Sequence, residues 1–391
     1  SAMGQYSFSG AFTGQRGRVY PNGFGDFLLG VPLSQRILIP VSYDATRINN
    51  NRINLYLQDD IQLMPKLTLN LGVRWERDGD WTEALNRWAY LDYATGDVVY
   101  PKSLTIPFRL PYAHRYEEIG SMKPPTNHAL APRAGLAWRP FGGNRTVVRT
   151  AYGVFWGVPQ GFVLLNSALT PPPFYLRSEF VSGSTNPELR FGEFPGVSAD
   201  NFVPRIPSFF THDPHNFTNG YTQQWNFGLD RQLTGDTAVT VSYVGNKGTH
   251  LERRQQGNAA LPPAPGPIQA RRRFPAVGGI THQESSSYST YHSLQVSAER
   301  KLSKGLLFLA GYTWSKSLDD TSTWSGLGGQ ESQFAQDPSR LFLEKARSGF
   351  DLRHRFTFSY VCELPFRFSS KPLSLVLGGW QQSGIMTFQS G

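Results

Sequence analysis

The chain has 391 residues, of which 39% are hydrophobic and 14% are aromatic, and its formal net charge is +9. No run of about 18 consecutive apolar residues occurs, so the sequence predicts no transmembrane helix. The 39 glycines and 28 prolines argue against a helical protein, and a single cysteine, Cys362, excludes an internal disulfide and a cysteine-based zinc site.

The basic residues are dispersed along the chain, and Arg271–Arg273 is the only compact run of them. This distribution indicates either an arginine-rich solvated surface or contact with anionic lipid head groups, and we do not expect nucleic acid as a partner. The mean hydropathy of −0.36 is too polar for a helical membrane protein. It fits a membrane protein built of strands, since such strands are only half apolar and their loops are polar.

Both ends of the sequence suggest a fragment. Residues 1–3 and the following glycine, Ser-Ala-Met-Gly, look like a cloning scar, without the basic and apolar regions of a signal peptide. The last residues, Gln389-Ser390-Gly391, end inside an apparent strand. We therefore expect residues 4–391 to form one partial β domain of a longer protein.

A regular pattern begins near residue 52 and is clearest in residues 66–76. Every second residue there is apolar, and the residues between them are polar or glycine. Alternate side chains of a strand point to opposite faces, so one face of this strand requires an apolar medium and the other requires water. The apolar positions are Leu67, Leu69, Leu71, Val73 and Trp75.

The same period of two recurs along the chain and predicts about ten strands. They are predicted at 53–63, 66–76, 132–140, 146–156, 221–233, 237–246, 289–301, 306–316, 352–364 and 373–389. Short turns join the strands in pairs, and long loops near 77–131, 157–220, 247–287 and 317–350 join the pairs.

This alternation of short turns and long loops indicates the fold. Outer-membrane barrels have short periplasmic turns, long extracellular loops and strands of about 9–11 residues. Soluble β-sandwiches do not usually sort their connections in this way. We predict an all-β, antiparallel, up-and-down β-barrel of the membrane type, with about 10–12 strands of a larger barrel.

Aromatic residues near the strand ends agree with this prediction. An aromatic girdle at the membrane interface would place them there, whereas the alternative is an ordinary set of core aromatics. The residues are Trp75, Trp138, Trp156, Tyr243, Tyr312 and Trp314.

Several short motifs resemble a known family, the TonB-dependent outer-membrane receptors, and within it the Oar-like group with a carboxypeptidase-regulatory-like domain. Their order and spacing span most of residues 5–391. They are Phe24-Gly-Asp-Phe-Leu-Leu-Gly30, Tyr56-Leu-Gln-Asp-Asp60, Leu67-Thr-Leu-Asn-Leu-Gly-Val-Arg74, Pro132-Arg-Ala-Gly-Leu-Ala-Trp138, Gln224-Trp-Asn226, Ser242-Tyr-Val-Gly-Asn-Lys-Gly-Thr-His-Leu251, Tyr312-Thr-Trp-Ser-Lys-Ser317, Asp351-Leu-Arg-His-Arg-Phe356 and Gly379-Trp380.

The resemblance implies a barrel of about 22 strands that holds a plug and takes up a substrate with energy supplied by TonB. This chain would be the middle part of the barrel, and contact with the TonB system would require the missing N-terminal part. The implied partners are the lipid bilayer, lipopolysaccharide and a polar or anionic solute such as an oligosaccharide or a peptide. We expect binding and uptake through loops and lumen in the bacterial outer membrane, with no catalysis and no cofactor.

The polar face of the strands supplies candidates for contact with the solute. If this face lines the lumen, its arginines give the lumen a positive bias that favours anionic or polar solutes. The candidates are Arg74, Arg133, Arg139, Arg149 and Asn226.

The long loops supply two further groups of candidates. Loop aromatics could stack on sugars, although packing of the loops against each other is the favoured interpretation; they include Trp81, Trp88, Tyr112, Phe174, Tyr175 and Trp324. His212, Asp213 and His215 form the best metal-like cluster. It lacks a third strong ligand, so we predict a turn set by Asp213 and the following proline, and no metal site.

Two other functions remain open at this point. The first is a soluble β-rich hydrolase from a truncated reading frame, which would need an exposed serine paired with His212 or His292. The second is a soluble carbohydrate-binding or adhesive module that uses the loop aromatics. The strand start at 351–355 is either an anion-binding rim that contacts lipopolysaccharide or a salt-bridged strand end.

Overall fold

The computed structural model describes the chain apart from residues 1–3, 15–22, 41–45, 105, 107–109, 111, 142, 172–173, 182–189, 193–207, 261–264, 324–333, 367–368, 371, 373–374 and 377. Ten long strands make up its main sheet. They are β1 (Arg52–Met64), β2 (Leu67–Asp78), β3 (Thr126–Trp138), β4 (Thr146–Trp156), β5 (Tyr221–Gln232), β6 (Thr237–Gln256), β7 (Ile280–Ser303), β8 (Leu306–Asp319), β9 (His354–Glu363) and β10 (Gln381–Gln389).

Each long strand pairs antiparallel with its neighbours in the sequence, so the sheet is an up-and-down meander from β1 to β10. Two short strands raise the total to 12, because Phe209–His212 runs parallel to the start of β7 and Ala346–Arg347 pairs with the end of β8. The all-β antiparallel architecture is as predicted from the sequence. Among the described residues β1 and β10 lie at the two ends of the sheet, which is not closed.

Two strands extend well beyond the predicted ranges 237–246 and 289–301. β6 continues to Gln256, and β7 begins at Ile280. The register between them shifts around residues 248–252, and His250 has a left-handed φ of 55°. Such a bulge interrupts the period of two, so the outer halves of both strands give no alternating signal.

The last strand is shorter than the predicted range 373–389. It begins at Gln381, two residues after Gly379, whose φ of 74° cannot continue an extended backbone. The described apolar residues before this glycine, Leu375 and Val376, therefore belong to the connection and not to the strand.

Smaller elements occupy the connections. Three small sheets are formed by Gly4–Ser7 with Ser34–Pro40 and Tyr175–Val181, by Ile48–Asn49 with Thr82–Glu83, and by Tyr90–Leu91 with Val98–Pro101 and His114–Glu117. The helices are α1 (Gly23–Leu28) and α2 (Gly161–Leu169), with 3-10 turns at Gln269–Arg271 and Leu341–Glu344. Among the described residues no helix has the length and apolar composition needed to cross a membrane.

One face of the main sheet is apolar and exposed. A single row of paired residues crosses it from Leu69 in β2 to Trp314 in β8. Phe227, in the middle of that row, is 54% exposed, and Trp314 is 52% exposed. A continuous exposed apolar face of this extent requires an apolar surrounding, which agrees with contact with lipid. We call it the apolar face, and its reverse the polar face.

The dry core of the protein lies among the long connections and reaches the main sheet only at Phe209 and at Ile280, the first residue of β7. Two clusters of buried side chains form there, and we call this region the loop layer. The first contains Trp81, Trp88, Tyr90, Val99, Met122, Val163, Leu164, Ala168 and Phe217. The second contains Ala89, Leu91, Val98, Tyr100, Leu110, Tyr112, Phe209, Val277 and Ile280.

Five of the six strand-end aromatics lie toward the loop layer. The exception is Trp138, which ends β3 beside the short turn and pairs with Leu67 and Val148. The aromatics of the apolar face therefore lie near both ends of the strands.

Candidate functional site

The polar face is continuous across the sheet because the register keeps residues of the same parity side by side. Gln58, Gly72, Arg133, Gly153 and Gln224 lie opposite one another on β1 to β5. The register thus carries polar or very small residues across five neighbouring strands without interruption.

A depression with a volume of about 380 Å³ lies on this part of the polar face. Gly72, Gly135, Gly153 and Ala151 line it. These residues have minimal side chains, which leaves space on the polar face. The amides around it belong to Gln58, Asn70, Gln224 and Asn226.

Arg133 is the one charged side chain that lines the depression. Its guanidinium carbon lies 4.7 Å from the centre of the Phe155 ring, and Phe155 also lines the depression. This cation–π contact orients the guanidinium without neutralising its charge. No acidic partner of Arg133 is found in the part of the chain that the structure describes.

Two of the other predicted lumen arginines are neutralised by neighbours. The Nε of Arg74 lies 2.8 Å from Glu76 Oε1, and the Nε of Arg149 donates to Asp230 Oδ2 at 3.0 Å. All four side chains belong to the polar face, as the alternation predicts. Their pairing reduces the positive bias expected from the arginines alone.

Arg139 and Asn226 occupy different positions. Arg139 lies in the short turn after β3, where its guanidinium donates to Asn144 Oδ1 at 2.8 Å and to Pro65 O at 2.6 Å. Asn226 lines the depression together with Arg133. Of the five predicted residues, the fold thus brings only Arg133 and Asn226 together in the depression.

Apart from small and apolar lining residues, sequence reasoning missed Gln58, Asn70, Phe155 and Gln224. The three amides could have been identified only from the register, since each is an ordinary polar residue of an alternating strand. Phe155 did leave a signal, because an aromatic residue there breaks the run of Arg149, Ala151 and Gly153 on the polar side of β4.

The depression is suited to binding a polar or anionic group. A guanidinium provides several hydrogen-bond donors in a fixed plane and retains its charge at all relevant pH values. The amides around it can both donate and accept. A few convergent polar groups around a shallow concavity are typical of a ligand-binding site.

The loop aromatics are largely internal. Trp88 is fully buried, Trp81 is 6% exposed and Tyr112 is 5% exposed, so each packs within one of the two clusters. Phe174 packs against the second cluster. Tyr175 begins a short strand whose side chains are not described, and Trp324 lies outside the described residues.

His212 is fully buried, and both of its ring nitrogens have partners. Nδ1 lies 2.7 Å from Ser167 Oγ, and Nε2 lies 2.6 Å from the carbonyl oxygen of Met122. Burial lowers the pKa of His212 to about 4, although the hydrogen bond with Met122 opposes the shift. This serine–histidine pair is closed to a substrate, since Ser167 is also buried.

The other two members of the metal-like cluster do not join His212. A carboxylate oxygen of Asp213 accepts the backbone N–H of His215 at 2.9 Å, which is the predicted turn. His215 Nε2 lies 3.5 Å from the Tyr90 hydroxyl. Within the described ranges no group of three or more potential ligands is arranged for a metal ion.

His292, the other candidate base for a hydrolase, lies on the apolar face. Its Nδ1 is 2.7 Å from the Tyr243 hydroxyl, and its ring also contacts Trp225, with the ring centres 6.0 Å apart. This placement separates it from the polar face and from the depression.

Comparison with solved structures gives matches to outer-membrane receptors. They include the FrpB iron transporter from Neisseria meningitidis (11% identity, TM-score 0.40, 92% of this chain and 36% of that chain). The alcaligin outer membrane receptor FauA from Bordetella pertussis matches with 12% identity and a TM-score of 0.39 over 91% of this chain and 42% of that chain. The ferric-catecholate import receptor Fiu from E. coli K12 matches with 13% identity and a TM-score of 0.40 over 84% and 38%.

The chain thus spans about 36 to 42% of the length of these three structures. No curated protein matches it significantly in sequence. Residues 1–391 match the family described as outer membrane beta barrel domain. The chain therefore belongs to the outer membrane beta barrel domain family, and its location is the outer membrane of a bacterium.

Proposed function

We propose that the chain is part of the barrel of a TonB-dependent transporter or receptor, and that its polar face binds a polar or anionic solute on the way through the lumen. The observation that carries this proposal is the depression beside Arg133, where an unneutralised guanidinium and four amides converge. The motifs that resemble TonB-dependent receptors of the Oar-like group support the same assignment. Contact with TonB would require a part of the longer protein outside this sequence.

In this proposal Arg133 is the main contact of an anionic group on the solute. Phe155 holds the guanidinium in place, and Asn226 and Gln224 add hydrogen bonds from neighbouring positions on β5. Arg74 and Arg149 contribute less, because each already has a carboxylate partner.

The test compares Arg133→Gln with Arg139→Gln in the full chain reconstituted in detergent micelles. Both variants lose one positive charge, but Arg139 lies in a turn outside the depression. Test solutes are an acidic oligosaccharide, an acidic peptide and a ferric siderophore, and binding is measured by calorimetry. A charge-assisted hydrogen bond contributes about 1.5–3 kcal/mol, so Arg133→Gln should weaken binding of an anionic solute by roughly 10-fold or more.

Equal affinities of the two variants would contradict the role of Arg133.

A second measurement addresses the polar face as a whole. If that face lines a conducting lumen, Arg74→Glu and Arg149→Glu should together shift the ion selectivity measured in a planar bilayer toward cations. Unchanged selectivity would count against a lumen on this side of the sheet.

A further inference from the structure

Two lysines and a histidine on the apolar face take no part in the ion pairs found among the described residues. Lys247, His292 and Lys316 belong to β6, β7 and β8, and all three are exposed. They lie just on the loop-layer side of the exposed aromatics of the same strands, Tyr243 and Trp314. We call these three residues the cationic patch.

The register fixes the arrangement of the patch. His292 pairs with Lys316 on one side and with Gly245 on the other, and Lys247 is two residues beyond Gly245. Neighbouring strands are about 4.8 Å apart, so the three side chains emerge within roughly 12 Å of each other. The hydrogen bond with Tyr243 fixes the orientation of the His292 ring.

The lysines of the patch have no counter-charge among the residues that the structure describes. In the described part of the chain neither Lys247 nor Lys316 forms an ion pair. The acidic residue nearest along β8, Asp319, has the opposite parity and is buried. At the short-turn end, in contrast, Arg300 lies 3.6 Å from Asp236. Cations that face lipid without protein partners require anions supplied by the surroundings.

We propose that the cationic patch binds the phosphate groups of lipid A in the outer leaflet of the membrane. Long loops of outer-membrane barrels are extracellular, so the patch lies at the level of the outer-leaflet head groups. The aromatics just below it are suited to the boundary between acyl chains and head groups. Lysine ammonium groups bind phosphate as point charges and need no rigid bidentate geometry. This inference rests on the outer-membrane location and does not depend on the proposed transport.

The test uses the full chain in a non-ionic detergent and measures binding of diphosphoryl lipid A by native mass spectrometry. The patch variant is Lys247→Ala with Lys316→Ala. The matched control is Lys66→Ala with Lys301→Ala, which removes two exposed lysines from the short-turn end. Two basic residues near phosphate groups together contribute to binding, so the patch variant should bind diphosphoryl lipid A about 30-fold more weakly than the wild type. The control should stay within about 2-fold of the wild type.

Three further outcomes decide the assignment. Lys247→Arg with Lys316→Arg should retain binding, which shows that charge matters and that the altered strands still fold. Dephosphorylated lipid A should bind the wild type no better than it binds the patch variant. Equal binding of phosphatidylglycerol and diphosphoryl lipid A, or equal losses in the patch and control variants, would overturn the proposal.

Discussion

His212 is held neutral inside the loop layer by its surroundings. It is fully buried, its ring stacks 6.3 Å from that of Trp88, and its pKa is lowered to about 4 by burial. Protonation of the folded protein would place a charge in a dry cluster, which is costly. In the unfolded chain the same ring is hydrated and titrates near its ordinary value of about 6.5.

We therefore predict that the loop layer loses stability in acid. Below pH of about 6.5 the unfolded chain binds a proton at His212 that the folded protein does not bind, so the free energy of unfolding falls as the pH falls toward 4. Between pH 7 and pH 5 the titration of this single group should lower the free energy of unfolding by about 2 kcal/mol. Urea unfolding followed by the fluorescence of the buried tryptophans measures the change.

Two variants separate this effect from general acid sensitivity. His212→Gln should abolish most of the loss attributed to this residue, while the exposed His215→Gln should leave the pH dependence unchanged. His282, whose pKa burial also lowers, should keep part of the slope in both variants. Identical slopes for the two variants would refute the assignment to His212.

Strand β5 shows how the two faces of one element differ in their surroundings. Phe227 belongs to the apolar face in the middle of the strand, and its neighbour Asn226 lines the depression on the polar face. Phe227 is more than half exposed, and exposure of a bulky hydrophobic side chain is favourable in lipid but unfavourable in water. The short polar residue faces the opposite medium.

A charge introduced at Phe227 should therefore destabilise the folded chain more than a charge introduced at Asn226. We expect Phe227→Arg to destabilise the folded, inserted chain by about 2–4 kcal/mol, because a guanidinium near the bilayer centre loses its hydration. Asn226→Arg should cost far less, because its side chain remains hydrated. Urea-dependent folding into phosphatidylcholine vesicles measures both, and equal costs would show that the apolar face does not meet lipid.

At the scale of elements, the short turns and the central strands were predictable. β4 occupies the predicted range 146–156 without change, because both of its faces have uniform surroundings along its length. The outer parts of β6 and β7 were not predictable in this way. There the loop layer covers the strands, and consecutive polar residues such as Arg253 and Arg254 are buried, so the usual alternation is lost.

At the scale of the whole molecule, the exposed apolar face dominates the solution behaviour. The hydrophobic cores belong to the loop layer, whereas β1 is exposed over most of its length. Transfer of apolar surface from water to a micelle is favourable by about 25 cal/mol per Å². A face that crosses ten strands therefore gives a large driving force toward detergent or lipid.

We predict that the purified chain is monodisperse only in detergent. Removal of detergent should cause aggregation, through both the apolar face and the outer edges of β1 and β10, which pair with no other strand among the described residues. Light scattering coupled to size-exclusion chromatography measures this directly. A stable monomer in detergent-free buffer would contradict the membrane assignment of the apolar face.

The amino-acid sequence by itself determined the strands, their up-and-down order and the two faces of the sheet. Each of these depends on local alternation and on the lengths of connections, which are properties of neighbouring residues. The depression beside Arg133, the pairing of Arg74 and Arg149 and the burial of His212 were decided only by the tertiary structure. They depend on register and on contacts between distant loops, and the period of two is the same whatever strand lies alongside.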